Sequence, residues 1–232
     1  MKINIFGSTG IIGKKSLLIL KKYFPDIKIN LLVANKNYKL LLSQANIFQP
    51  KYIYLNDEKY YEKIKYDLIN TKIKILNNKE LHTYLRLNYS DLTLLSVAGY
   101  ESLNFLESIL LNTKNLGLVN KECVVSAGHL FKKLIRKYKV KIFPLDSEHY
   151  SLHDYFQGNI RKNLYSKIYL TASGGPFFHK KNFNAKKIKL KDAVNHPKWK
   201  MGFKNSIDSA TLSNKCLEII EAHYLFDIQF NK

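Results

Sequence analysis

Residues 1–13 read MKINIFGSTGIIG. The apolar run at 3–6 predicts a short strand, Gly7-Ser8-Thr9-Gly10-Ile11-Ile12-Gly13 predicts a tight turn, and residues 14–23 carry a helical pattern. Strand, glycine turn and helix follow in the order by which a βα unit presents a pyrophosphate to a helix N-terminus. The glycines allow the sharp turn and the close backbone approach that a charged group needs. A G-x-x-G-x-x-G run also fits an ordinary tight turn, so its weight comes from the strand before it and the helix after it.

Outward from that unit, strand and helix signals keep alternating. Apolar runs at 27–34, 51–55, 72–76, 92–97, 116–119 and 140–145 predict strands, and 38–46 and 58–69 predict helices between them. Such alternation builds βαβ units with right-handed crossovers, hence a doubly wound, mostly parallel sheet whose ligand lies at the strand carboxyl ends. The second strand ends in Asn35-Lys36-Asn37, with no acid to hold a ribose 2′-hydroxyl. A lysine between two amides suits a 2′-phosphate and favours NADP over NAD; an ordinary surface turn fits the same residues. After about Asp146 the character changes, with a predicted strand at 167–172, a Lys-rich stretch at 179–191 and a helical pattern over 209–226.

Composition narrows the class. The chain has 232 residues, 46% hydrophobic and 24% charged, which is globular rather than disordered. A net charge of +20 raises nucleic acid or a membrane surface as partners. Yet only Arg86, Arg136 and Arg161 are arginines among the 38 basic residues, and Lys, Asn, Ile and Tyr share A/T-rich codons. The charge therefore reads first as the base composition of an A/T-rich genome, with no nucleic acid and no membrane as partners. Cys123 and Cys216 suit neither a disulfide framework nor a zinc site. Apolar runs such as 17–20 and 92–98 fall far short of the roughly 20 residues of a bilayer span. With no secretory pattern ahead of the first strand, the expected location is the cytoplasm of a bacterial-type cell.

Two further clusters carry chemistry. In Pro144-Leu145-Asp146-Ser147-Glu148-His149, an extended backbone places Asp146 and Glu148 on one side, where they can share a cation. Oxygen ligands without cysteine or clustered histidine suit Mg²⁺ or Mn²⁺, although acids at a strand end are also often only solvated. A helix opening near Ser209, capped by Asp208 or Ser209, puts Asn214 and Glu218 on one face. Ser209, Thr211, Asn214 and Lys215 then offer hydroxyls, N–H donors and a cation to a phosphate. Ser173-Gly174-Gly175 can form a second concavity for an anion. The plainer reading is a capped amphipathic helix with Leu217, Ile220 and Leu225 in the core.

Together the segments GSTGIIG (7–13), LVNKE (118–122), PLDSEH (144–149), LTASGGPF (170–177) and HPKWKMGFKNSIDSATLSNKCLEIIEA (196–222) resemble one family, 1-deoxy-D-xylulose 5-phosphate reductoisomerase. They occur in the family's order and cover most of the chain. The resemblance implies an α/β fold: a Rossmann-like doubly wound parallel sheet binding NADPH over 1–145, then an α+β catalytic domain over 146–232. The family's C-terminal helical domain lies past the position that matches Lys232. The implied reaction rearranges 1-deoxy-D-xylulose 5-phosphate and reduces the product with NADPH to 2-C-methyl-D-erythritol 4-phosphate, for isoprenoid precursors.

The resemblance also assigns roles. Asp146, Glu148 and Glu218 hold Mg²⁺ or Mn²⁺, and Lys121 contacts substrate oxygens beside the nicotinamide. Ser147 bonds the phosphorylated sugar, Ser173, Ser209, Asn214 and Lys215 hold its phosphate, and His196 and Trp199 lie on a closing flap. Thr9, Gly10, Ile11, Ile12, Asn35, Lys36, Asn37, Asn120, Glu122 and Gly202 match cofactor contacts. Ile11 replaces the family's usual Ser, Asn35 its Gly, and Cys216 a Gly. The family also implies a homodimer, whose interface strands lie past the match to Lys232. A cofactor-binding protein without turnover is the alternative.

Overall fold

A computed structural model describes residues 1–158, 165–172, 174–179, 184, 186, 188–195 and 203–231. It divides into two compact units, 1–146 and 147–232.

The first unit is built on a sheet of seven parallel strands. They are β1 (Lys2–Phe6), β2 (Lys28–Ala34), β3 (Tyr52–Leu55), β4 (Lys74–Leu76), β5 (Ser90–Leu95), β6 (Thr113–Leu118) and β7 (Lys141–Pro144). The spatial order is β4-β3-β2-β1-β5-β6-β7, so the chain reverses direction of growth at β1. In such sheets the crevice lies at this switch point, beyond the carboxyl ends of β1 and β5. The crossovers are α1 (Ile11–Tyr23), α2 (Tyr38–Phe48), α3 (Tyr61–Asp67), α4 (Asn78–Leu87), α5 (Leu103–Leu111) and α6 (Lys121–Tyr138). The stretch 58–69, expected as one helix, opens with a 3₁₀ turn at Glu58–Tyr60 before α3.

Central strands buried on both faces read as continuous apolar runs, and β1 is buried from Ile3 to Phe6. Ile3, Ile5, Leu32 and Ile53 pack with Leu17 of α1, Leu41 of α2 and Ile64 of α3 in one core cluster. Phe6 meets the ring of Phe105 at 5.6 Å. The buried polar Asn4 accepts from the Tyr84 hydroxyl at 3.3 Å, as a polar group inside a sheet must to avoid an unpaired burial cost.

The second unit contains α7 (Ser147–Gly158), α8 (Leu190–Val194), α9 (Phe203–Ser209) and α10 (Ser213–Phe226). Helix α7 meets α10 through Phe156 and Phe226, whose rings lie 5.5 Å apart. Residues 167–172 are not a strand. A strand needs a ladder partner for its N–H and C=O groups, and the described residues of this unit supply none.

The helix expected over 209–226 is two helices. Ser209 ends α9 instead of capping α10, and its hydroxyl donates back to the Ser206 carbonyl at 2.8 Å. Ala210 N–H donates to Ile207 O, Thr211 N–H donates to Asp208 O, and Leu212 then takes a left-handed φ of 62°. Serine and threonine side chains compete with helical bonds, which favours a break where three short polar or small residues run together. The apolar face is also different from expectation. Leu217, Ile220 and Leu225 are half-buried, whereas Glu218 and Glu221 are the buried residues of α10.

Candidate functional site

In the first unit the expected residues gather at the carboxyl edge of the sheet. The glycine turn leaves β1 and is fixed from two sides. Ser96, just past β5, donates its hydroxyl to Phe6 O at 2.6 Å, and Gln44 of α2 donates to Ser8 O at 2.8 Å. Gly7 has φ +80°, and a Cβ there would lie 2.5 Å from Ser96 O. A Cβ on Gly13 would lie 2.3 Å from Gly7 O, so only glycine lets α1 start this close to the turn. The N-terminus of α1 has no side-chain cap and no acid in its first turn. Its N–H groups and positive dipole end therefore suit an anion. Thr9 is half-buried, and Gly10, Ile11 and Ile12 are exposed around that end.

Asn35, Lys36 and Asn37 follow the neighbouring strand β2 and are exposed. Asn37 accepts from Leu40 N–H at 3.1 Å and so caps α2. Asn56 donates to the Asn35 side chain at 3.2 Å. Asn35 is absent from the residues of positive φ, so replacing the family's glycine there strains nothing in the backbone.

The third group follows β6. Asn120 is 3% exposed and caps α6 by accepting from Cys123 N–H at 2.7 Å. Its amide donates to Gly99 O at 2.7 Å and also to Val97 O. Both amide hydrogens thus clamp the loop after β5 to the start of α6. Lys121 is 5% exposed, and its ammonium pairs with Asp146 at 2.9 Å. Glu122 is half-buried beside it in the first turn.

In the second unit, helix α7 begins at Ser147, so Glu148 stands in a first helical turn. The extended Asp146-to-Glu148 backbone assumed from sequence is therefore not present. Glu148 nevertheless meets Glu218 of α10, with a ligand oxygen of each within 4.8 Å of the other. Lys215 places its ammonium 2.6 Å from both carboxylates. Burial alone pushes the Lys215 pKa down, but hydrogen bonds to Glu148 and Glu218 outweigh it and hold it above the ordinary lysine value. Asn214 donates to the other Glu218 oxygen, and Ser147 donates to Glu148 at 2.5 Å.

Asn214 and Lys215, read from sequence as phosphate ligands, thus face carboxylates here. Ser209 lies elsewhere, against Gly175, whose absent Cβ would sit 2.4 Å from Ser209 O. Of the two expected anion segments, Gly175 and the Ser209–Ala210 backbone come together there. Ser173, His196, Trp199 and Gly202 lie outside the described residues.

The donor set fits a divalent cation. Glu218 is only 1% exposed and lies beside a second carboxyl group, and positive charge between the two stabilises such a pair. Lys215 stands in that position. Oxygen-only ligands suit Mg²⁺ or Mn²⁺.

Several supporting residues escaped the sequence reading. Ser96 and Gln44 hold the glycine turn; the one visible signal was a glutamine on the apolar face of α2. His149 and Glu221 are buried beside Glu218, with only their adjacency to Glu148 and Glu218 to mark them.

Fold and site define a class: a Rossmann-like nucleotide-binding sheet joined to a helical unit with a paired-carboxylate centre. The family model described as 1-deoxy-D-xylulose 5-phosphate reductoisomerase matches residues 3–128. That of the same enzyme's C-terminal domain matches 142–226. The chain belongs to the 1-deoxy-D-xylulose 5-phosphate reductoisomerase family.

A curated relative of that name from Pelagibacter ubique is 40% identical, over 100% of this chain and 60% of its own length. One from Clostridium tetani is 38% identical, over 98% and 60%. Among solved structures, the Zymomonas mobilis enzyme in complex with NADPH superposes with TM-score 0.86 at 30% identity, over 100% of this chain and 59% of that one. A DOX-P reductoisomerase in complex with NADPH, fosmidomycin and magnesium gives 0.84 at 31% identity, over 99% and 59%. The chain spans about 60% of the length of the curated relatives it matches. No helix among the described residues is long and apolar enough to cross a membrane.

Proposed function

We propose that this chain performs the NADPH- and divalent-metal-dependent rearrangement and reduction of 1-deoxy-D-xylulose 5-phosphate to 2-C-methyl-D-erythritol 4-phosphate. The observation that carries this reading is the pairing of Glu148 with the buried Glu218 around the Lys215 ammonium. A solvated surface carries no such buried pair. The similar solved structure in complex with NADPH, fosmidomycin and magnesium supports the same assignment.

In this reading Asp146, Glu148 and Glu218 hold Mg²⁺ or Mn²⁺. The ion supplies Lewis acidity at the substrate's oxygens, and the nicotinamide of NADPH supplies the hydride. The chain's own residues do the rest. The glycine turn at Thr9–Ile12 and the start of α1 receive the cofactor's pyrophosphate, and Lys36 meets the 2′-phosphate between Asn35 and Asn37. Asn120 fixes the start of α6, so that Lys121 stands rigidly beside Asp146 and directs its ammonium at a substrate oxygen. Ser147 hydrogen-bonds the substrate backbone. Ser173, Ser209, Asn214 and Lys215 take its phosphate, whose binding energy orients the reacting end. His196 and Trp199 cover the substrate, and Glu122 and Gly202 complete the cofactor contacts. A homodimer in the bacterial cytoplasm belongs to the same proposal, and light scattering on the purified chain tests the association.

The deciding measurement is steady-state NADPH oxidation by the purified chain with Mg²⁺ or Mn²⁺ and the deoxyxylulose phosphate. Turnover proportional to protein supports the reading, and none above background at any protein concentration sinks it. Glu148→Gln should abolish turnover while NADPH binding persists. Loss of NADPH binding in that variant would mean that the site is misplaced.

A further inference from the structure

We propose that His149 and Glu221 are positioning residues that lock the carboxylate of Glu218 against that of Glu148. The inference rests on the metal-site reading above and extends it to two residues outside the proposed ligand set.

His149 follows Glu148 in the first turn of α7, and its side chain is 0% exposed. Its Nε2 lies 2.9 Å from the main-chain oxygen of Glu218. A carbonyl only accepts, so Nε2 carries a hydrogen. The ring's opposite nitrogen, Nδ1, lies 3.2 Å from Oε2 of Glu221, a carboxyl 1% exposed. At that distance the two buried polar atoms are close neighbours, and Glu221 is the polar group that faces Nδ1. The ring also lies nearly parallel to Phe226, at 11° and 6.3 Å between centroids, so it has little freedom to turn.

Glu218 and Glu221 are three residues apart on one helix and therefore share a face. One imidazole thus holds the turn of α10 through a hydrogen bond to the Glu218 carbonyl and a close polar contact with Glu221, and it belongs to the turn of α7 that bears Glu148. The separation of the two carboxylates is set by this link. Their spacing matters because a small hard cation tolerates ligand displacement poorly, and partners that orient ligands typically change metal affinity by about 10- to 100-fold.

Manganese binding by the purified 232-residue chain tests this, read by calorimetry and by the spin-resonance signal of free Mn²⁺, with NADPH binding measured in parallel. Glu221→Leu removes the partner of Nδ1. His149→Asn keeps an atom toward Glu221 but cannot reach the Glu218 carbonyl. Both should weaken Mn²⁺ binding by about tenfold or more, with NADPH affinity unchanged. Glu221→Gln keeps a polar group of the same shape, with an N–H to offer Nδ1, and should stay within about threefold of the parent.

Parental Mn²⁺ affinity in Glu221→Leu and His149→Asn overturns the inference. So does a loss in Glu221→Gln as large as in Glu221→Leu, because a polar partner of the same shape beside Nδ1 would then not hold the turn. If Glu221→Leu fails to fold, as loss of NADPH binding would reveal, the contrast of His149→Asn with Glu221→Gln decides by the same criterion. No Mn²⁺ binding by the parent chain would instead remove the metal site itself, a result separate from equal binding by parent and variants.

Discussion

Lys121 and Asp146 face each other across the carboxyl ends of adjacent strands β6 and β7, with Nζ 2.9 Å from Oδ2 and little of either side chain exposed. Removing one partner from such a pair leaves a poorly solvated charge and costs about 3 kcal/mol. Lys121→Met should lower the urea midpoint by a corresponding amount. Adding Asp146→Asn removes the stranded charge and should restore much of the loss. No recovery in the double variant would mean that the two charges are not coupled.

Gly13→Ala puts a methyl group 2.3 Å from Gly7 O and 2.7 Å from Ser8 Cα, both backbone atoms that cannot swing aside. Overpacking of this kind costs about 1–3 kcal/mol, and here it deforms the turn itself. With that cost borne by the binding turn, NADPH affinity should fall by about 5- to 150-fold, because 1.4 kcal/mol is one decade. Gly10→Ala meets Gly7 O at 3.2 Å without a positive φ, so fluorescence titration should show the smaller loss for that variant.

Cofactor choice should follow charge at the end of β2. Lys36→Ala removes a cation from the proposed 2′-phosphate site, and a charge-assisted bond is worth about 1.5–3 kcal/mol. NADPH binding should weaken by about 10- to 100-fold, with NADH binding unchanged. Asn37→Asp retains an oxygen to accept from Leu40 N–H, so it adds a negative charge while keeping the cap. It should lower the NADPH-to-NADH preference without moving the melting temperature.

Tyr84 provides a pH test of the first unit. Its hydroxyl donates to Asn4 and accepts from Asn30. Burial, followed by the neighbouring Tyr52, pushes its pKa up to about 12 from an ordinary 10.0. The folded state keeps the proton where the unfolded chain releases it, so the contribution is whole below pH 10 and is lost between 10 and about 12. Stability in that window should fall with a Tyr84-dependent slope of about 1.4 kcal/mol per pH unit. Tyr84→Phe should be less stable at neutral pH and approach the parent as pH nears 12. Parallel unfolding curves across the window would contradict this.

The sheet was legible because parallel strands buried on both faces announce themselves as apolar runs; each of β1 through β7 overlaps a predicted run, although β5 and β6 begin two and three residues earlier, at the polar Ser90 and Thr113. The glycine turn was legible for a different reason, since no other residue tolerates the approaches at Gly7 and Gly13. The second unit was harder. The strand assigned to 167–172 had the right composition but no partner, and pairing is a property of the fold rather than of the segment. The break at 210–212 depends on backbone bonds to Ile207 and Asp208 that no periodicity records. Glu218 was legible as a metal ligand but its burial was not, and Glu221 was hidden altogether; His149 and Lys215 stand beside these buried acids.

The ammonium of Lys215, shared between Glu148 and Glu218, works as a resident counter-ion. Any divalent ion that takes these carboxylates must evict it, so the exchange is one of cation for cation, and the centre's net charge rises by only one unit. The evicted lysine, still tethered to α10, then becomes available to an anion. Metal and phosphate would accordingly favour one another through a single side chain, each drawing on the partner that the other releases.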